Sequence, residues 1–254
     1  MKKNKIVAII QARNNSTRFP GKILKKIGKL TLIEILLKRI LLSKKLDQVI
    51  VATTKTKSDD SLIKILIKNN ISYYRGDENN VLKRYYEAAN KFKADIIVRI
   101  TGDCPIIDPK VIDEVVELYQ KNKVSFASNI EPPTYPDGLD VEVFGIKDLI
   151  LANKFAKTDF EREHVTPHIK YKKNIKKVNK FFNINLSNIR LTIDEPIDLQ
   201  QLKIIIKKLK NCTDFGIKEI AKLYKKNKKI FSLNKHLIRN EGGKLNKGQK
   251  LWKR

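Results

Sequence analysis

Cysteine is almost missing: Cys104 and Cys212 are the two thiols in 254 residues. They lie far apart and form no CxxC pair, which excludes a disulfide framework and a thiolate zinc site and fits a reducing cytoplasm. No apolar run reaches the roughly 18 residues that a membrane span needs. The first residues are charged, so no signal peptide is expected either. With three histidines in the chain, no Ser/His/Asp or Cys/His arrangement can be asserted. Two glycine signatures are missing as well. No Gly stands at the distance before Gly21-Lys22 that a Walker loop requires, and GxGxxG is absent, which disfavours a dinucleotide fold.

Acidic residues are also scarce, 27 against 54 Lys and Arg, for a formal charge of +27. Such a balance can signal nucleic acid. Here the excess is mostly lysine, scattered along helices and thickened after residue 170 (Lys170, Lys172, Lys173, Lys176, Lys177, Lys180). It comes without zinc-finger spacing, an RNP-like aromatic motif or a helix-turn-helix. Nucleic acid is therefore not an expected partner, and a basic nucleic-acid-binding protein is the rival from another class.

What the chain does have is an ordered alternation. The stretch that begins Ile6-Val7-Ala8-Ile9-Ile10 is a short apolar run that reads as a buried strand. Helical periodicity over Leu30–Leu42 follows, then a strand over Gln48–Thr53 and a helix capped by Ser58, Asp59 and Asp60 that runs to Lys68. A short strand at Ile71–Tyr74, a helix over Val81–Phe92, a strand over Ala94–Ile100 and a helix over Pro109–Lys121 complete four β-loop-α units. That pattern predicts a three-layer α/β/α fold with a mostly parallel sheet. The second half is less regular. It reads as strands over Val124–Asn129, Leu139–Phe144, Val178–Asn183 and Ile189–Ile193, with helices over Lys147–Lys157, Pro196–Leu209 and Ile217–Lys225. In Leu139–Phe144, Asp140 and Glu142 alternate with apolar residues as on an exposed edge strand.

The first strand opens into Arg13, Ser16, Thr17, Arg18, Pro20, Gly21 and Lys22. A buried strand running into a cationic turn is how α/β folds present a site at a strand's carboxyl end. Such a turn suits an anion of several charges, above all a polyphosphate. Asp103 and Asp194 each follow a predicted strand and precede a proline by two residues. Two such aspartates can share one sheet edge and hold a divalent cation with phosphate oxygens and water. Each alone could equally be a turn or cap residue. Cys104 reads as a packed thiol, and His164 as a residue of the surface or a cleft.

Five segments together are similar to one family. They are Ile9-Ile10-Gln11-Ala12-Arg13 with Ser16–Lys22, Arg99–Pro105, Pro136–Glu142, Arg162–Pro167 and Arg190–Pro196. They resemble the cytidylyltransferases that include the spore-coat polysaccharide protein SpsF, relatives of the CMP-Kdo and acylneuraminate cytidylyltransferases. The match runs over residues 5–240. It implies a nucleotide-diphosphosugar-transferase (GT-A-like) fold over 1–233 and a polar basic tail or linker over 234–254. It implies transfer of CMP from CTP to an acidic sugar or phosphorylated acceptor, with pyrophosphate released, in cell-surface polysaccharide biosynthesis, and Mg²⁺ as cofactor. A glycosyltransferase using a nucleotide sugar on the same fold is the rival enzyme.

Carried across, the resemblance places Ala12, Arg13, Ser16, Arg18 and Lys22 on the nucleotide and its triphosphate. It places Arg75, Asp77 and Arg84 in the nucleotide pocket, and Asp103 and Asp194 on Mg²⁺. Arg13, Lys22 and Asp103 become the catalytic set, and Asp140, Glu142 and His164 face the acceptor. One departure stands out. Asn14-Asn15-Ser16 replaces the family's usual Met-Gly-Ser, which restricts the loop backbone unless Asn takes positive φ. Gly248–Arg254 resembles the start of a class-III, glutamate-semialdehyde-type aminotransferase, which would make the chain the front of a longer fusion with a PLP domain. The oligomeric state is left open; a homodimer is compatible with the sequence.

Overall fold

A computed structural model describes residues 3–239. In chain order the strands are β1 (Ile6–Gln11), β2 (Lys26–Ile27), β3 (Leu30–Thr31), β4 (Gln48–Thr54), β5 (Ser72–Gly76), β6 (Ile96–Thr101), β7 (Phe126–Ser128), β8 (Glu142–Gly145) and β9 (Lys177–Asn179). The helices are α1 (Leu32–Ile40), α2 (Asp60–Lys68), α3 (Val81–Lys91), α4 (Pro109–Asn122), α5 (Ile146–Phe155), α6 (Asp159–His164), α7 (Pro167–Lys170), α8 (Pro196–Leu209) and α9 (Ile217–Lys226). The main sheet runs β5-β4-β1-β6-β8-β7-β9. β1, β4, β5 and β6 are parallel, and β8 runs antiparallel to both its neighbours.

Side-chain alternation along β1 sorts the core into two layers. Ile6, Ala8 and Ile10 pack with α1, α2, α4, α8 and α9 on one face. Val7 and Ile9 pack with α3, α5 and α7 on the other. The expected three-layer α/β/α fold with a mostly parallel sheet is what forms. No helix among the described residues is long and apolar enough to cross a membrane.

The strand order places the site. The chain leaves β1 for β4 and β5 on one side, then returns to the other side of β1 as β6. That reversal opens a crevice beyond the carboxyl ends of β1 and β6. There the loops after the two strands touch. A Cβ on Gly102 would come within 2.9 Å of the Ala12 methyl, so only glycine allows this approach.

Several sequence expectations change. Leu139–Phe144 is not an exposed edge: the strand begins at Glu142, lies between β6 and β7, and buries that carboxylate. Ile189–Ile193 is not a strand. It makes one bridge, Arg190 with Asp137, and is buried because Ile189, Leu191 and Ile193 enter the core. Asp59 does not cap α2 with its side chain; it turns inward to Thr53 and Thr54. Nor is the segment after residue 233 free throughout. Asn234 is buried and bonded to Asp198, and Arg239 reaches Asp140. The aminotransferase-like Gly248–Arg254 lies outside the described residues.

Candidate active site

The opening loop leaves β1 pinned rather than loose. Asp59 accepts the Asn14 backbone N–H at 2.7 Å while holding Thr53 and Thr54 of β4. The Asn14 carbonyl accepts the N–H of Ser16 and of Gly21, folding residues 14–21 into a closed turn. Gly21 takes φ +67°, whereas neither Asn14 nor Asn15 has positive φ. The missing family glycine therefore costs this loop no backbone strain.

The turn delivers Lys22 into the crevice. Its Nζ lies 2.9 Å from Asp194 Oδ1, 3.5 Å from Asp103 Oδ2 and 2.7 Å from the Ile193 carbonyl. Burial pulls the lysine pKa down, but the two aspartates more than offset it and leave the ammonium above its ordinary range. Asp194 also meets Arg18 at 3.0 Å and Arg190 at 2.8 Å. Burial acts to raise its pKa, yet Lys22, Arg18 and Arg190 together hold it below the usual carboxylate range. The loops after β6 and before α8 are stitched together as well: the Asp103 carbonyl accepts the Ile193 N–H and the Thr192 hydroxyl. Arg18 and Lys22 of one loop, with Asp103 and Asp194 from distant parts of the chain, thus form one cluster.

Arg13 points elsewhere. With Asp77, Glu78, Asn79, Asn80, Val81, Asp159, Arg162 and Glu163 it lines a cleft of about 390 Å³. Its guanidinium faces Glu78 at 3.7 Å. Asp77 accepts the N–H groups of Asn79 and Asn80, which lowers its pKa and builds the turn into α3. Arg84 is buried beneath that turn and donates to the Asp77 and Glu78 carbonyls. It props the cleft wall and does not face the cleft. Arg75 is engaged elsewhere: its Nε, Nη1 and Nη2 donate to Thr54 O, Asp60 and Thr56 O. Ala12 is buried, with its N–H on Ala52 O, and the Ser16 N–H closes the loop rather than facing outward.

The three residues expected at the acceptor split into two groups. Glu142 forms a buried ion pair with Arg99 and accepts the Thr166 hydroxyl at 2.8 Å. His164 stands just before Thr166, its ring 4.6 Å from Phe160, and burial lowers its pKa. Between them Val165 has φ +67° and ψ −56°, and the Thr166 N–H returns to the His164 carbonyl at 2.7 Å. That is a strained γ-turn on a β-branched residue, the kind of outlier that marks functional sites. Asp140 belongs to the other group, paired with Arg239 at 2.6 Å.

Asp137 and Asp140 are pushed up by burial, to about 6 and about 7, with Arg239 the largest opposing influence on each. Their folded pKa values lie above the unfolded carboxylate value near 3.9. The folded chain therefore binds more protons than the unfolded chain between about pH 4 and 7, and this pair loses stabilising effect as pH rises. Asp140→Asn is expected to gain stability relative to the parent as pH rises through that window. Urea midpoints at pH 4.5 and 7.5 check it; a difference independent of pH contradicts it.

The residues that organise the site but carried no assigned role in the sequence are Arg190, Asp198, Arg99, Thr166 and Arg239; Asp59 was read there as a helix cap. Arg99, Thr166 and Arg190 sit inside the family-like segments. Nothing in the sequence linked Arg239 to Asp140.

With this geometry in hand, comparisons place the chain among known proteins. The profile described as cytidylyltransferase matches residues 7–238. The uncharacterized protein MJ1063 of Methanocaldococcus jannaschii is 38% identical over 238 residues, covering 92% of this chain and 96% of that one. The spore coat polysaccharide biosynthesis protein SpsF of Bacillus subtilis is 31% identical over 233 residues, covering 88% and 95%. A solved cytidylyltransferase from Leptospira borgpetersenii superposes with a TM-score of 0.86 at 35% identity, over 90% of this chain and 97% of that one.

Proposed function

The chain belongs to the cytidylyltransferase family, and from that premise we propose that it transfers a cytidylyl group from CTP to a small acidic sugar or phosphorylated acceptor. The observation that carries this reading is the cluster in which one ammonium, Lys22, bridges two carboxylates at the β1/β6 crevice with Arg18 alongside.

An acceptor oxygen attacks the α-phosphorus, a new P–O bond forms, and the bond to the bridging oxygen breaks as pyrophosphate leaves. The protein supplies position and charge more than covalent chemistry. Lys22 and Arg18 meet the charge that builds on the leaving phosphates, and Arg13 reaches the nucleotide from the neighbouring cleft. The cleft, walled by the turn that Asp77 and Arg84 hold, is the place for the base and ribose. The acceptor is assigned to the two separate groups, Glu142 with His164, where Arg99 and Thr166 hold the carboxylate, and Asp140, held by Arg239.

The donor set fits Mg²⁺. Asp103 and Asp194 offer hard oxygens converging on one cation position, and phosphate oxygens and water supply the rest. When bound, the ion acts as a Lewis acid on the phosphate oxygens. The product, by analogy with the role in SpsF's name, feeds surface polysaccharide assembly.

Pyrophosphate release, measured with each of the four nucleoside triphosphates across a panel of acidic sugars and sugar phosphates, tests the proposal. Release that depends on CTP and on one acceptor class is expected. Nucleotide-sugar turnover without pyrophosphate replaces it with glycosyl transfer.

A further inference from the structure

Lys22 occupies the position between the two carboxylates that the proposed reaction gives to a divalent ion. Its ammonium has three donors and three oxygens around it, at 2.9, 3.5 and 2.7 Å. The side chain is 12% exposed. Arg18 shares Asp194 Oδ1 with Lys22, and Arg190 takes Oδ2. The carboxylates are thus compensated by the chain's own cations. No group of three or more His, Cys, Asp or Glu among the described residues could hold a metal by itself.

A bare divalent ion must therefore displace a buried, hydrogen-bonded ammonium to reach two ligands. A triphosphate changes the balance. Its oxygens give Lys22 and Arg18 partners of higher charge, and lysine's flexible stem lets the ammonium turn toward them. The vacated carboxylates then meet an ion that already carries phosphate ligands.

We infer that Lys22 is an internal counter-ion that keeps a divalent cation off Asp103 and Asp194 until a nucleoside triphosphate draws it away, so that the metal–nucleotide complex is the substrate. This rests on the nucleotidyl-transfer reading for what displaces the lysine, but its central claim concerns the nucleotide-free chain.

Mn²⁺ is the probe, its unbound signal followed by electron paramagnetic resonance with no nucleotide present. Parent chain, Lys22→Met, Lys22→Gln and the double variant Lys22→Met/Asp194→Asn are compared, with circular dichroism reporting the fold. The parent should bind Mn²⁺ weakly. Either single variant should bind one ion at least about tenfold more tightly, because a cation next to the ligands is gone. The double variant should lose that gain.

Equal affinities in parent and single variants overturn the inference. So does tight binding by the parent alone, a result that needs no variant to fold. The nucleotidyl-transfer reading fails separately, if the parent releases no pyrophosphate from CTP while the lysine variants still gain the ion.

Discussion

Lys22→Ala is expected to lower kcat/KM for the proposed CTP-dependent pyrophosphate release by about 10²–10³, the range seen when one preorganised donor to a developing negative charge is removed. The size follows from the site. Lys22 is 12% exposed, whereas Arg18 is 39% exposed at its side chain, so the lysine charge is the less screened of the two. The loss should fall on kcat as well as kcat/KM, since the charge it meets grows as pyrophosphate departs. Arg18→Ala should lose less and become milder still at high salt, where exposed charges are screened. Removal of Lys22 leaves Asp194 with Arg18 and Arg190, so the fold survives with a stability loss of about 1–2 kcal/mol. Single-turnover measurements, read beside a urea midpoint, separate the two effects. Unchanged turnover removes Lys22 from the mechanism.

The first half of the fold was legible because its strands are continuous apolar runs and its helices are periodic. The apolar run that begins at Ile6 and those over Gln48–Thr53 and Ala94–Ile100 need no tertiary context to declare themselves. The second half obeys longer-range rules. Ile189–Ile193 has a strand's composition, but its N–H groups go to Asp103 and Asp137 carbonyls instead of a ladder. Alternation at Asp140 and Glu142 suggested a solvated face, since a lone sequence cannot show that Arg99 and Arg239 arrive to compensate each acid.

The site divides the same way. That Lys22, Arg18, Asp103 and Asp194 come together was legible because strand ends meet at a topological switch point. The contacts of Arg75 with Thr54, Thr56 and Asp60 were not, because they depend on a register between β4 and β5. Asp59 looked like a cap because caps and buried turn anchors use the same residue types. Geometry, here two threonines and the Asn14 N–H converging on one carboxylate, decides between them.

A large stabilising role is expected of Arg190. It lies with 7% of its side chain exposed and spans Asp137 at 3.2 Å, Asp194 at 2.8 Å and Asp198 at 3.0 Å. Its own carbonyl is held by Gln201 and Asn234. One guanidinium therefore ties the loop before β8, the loop carrying Asp194 and the start of α8 into a single unit. Arg190→Met keeps volume but leaves buried carboxylates facing one another. Asp194 keeps Lys22 and Arg18, and Asp198 keeps the N–H groups of Asp194 and Glu195; Asp137 is left most exposed to the change. Breaking a buried pair on one side costs about 3–5 kcal/mol, a large share of the roughly 5–15 kcal/mol that holds a domain together. The cost is greatest at high pH. Without Arg190 the folded-state pKa of Asp137 rises further above its unfolded value, so lowering the pH toward 5 protonates it and recovers stability. Adding Asp137→Asn should recover part of the loss at pH 8 and little at pH 5. Arg190→Lys should rescue less than full stability, because an ammonium cannot fork across three carboxylates. Urea unfolding at pH 5 and 8 reads all four chains. A methionine variant as stable as the parent at pH 8 shows that the three aspartates do not depend on this cation.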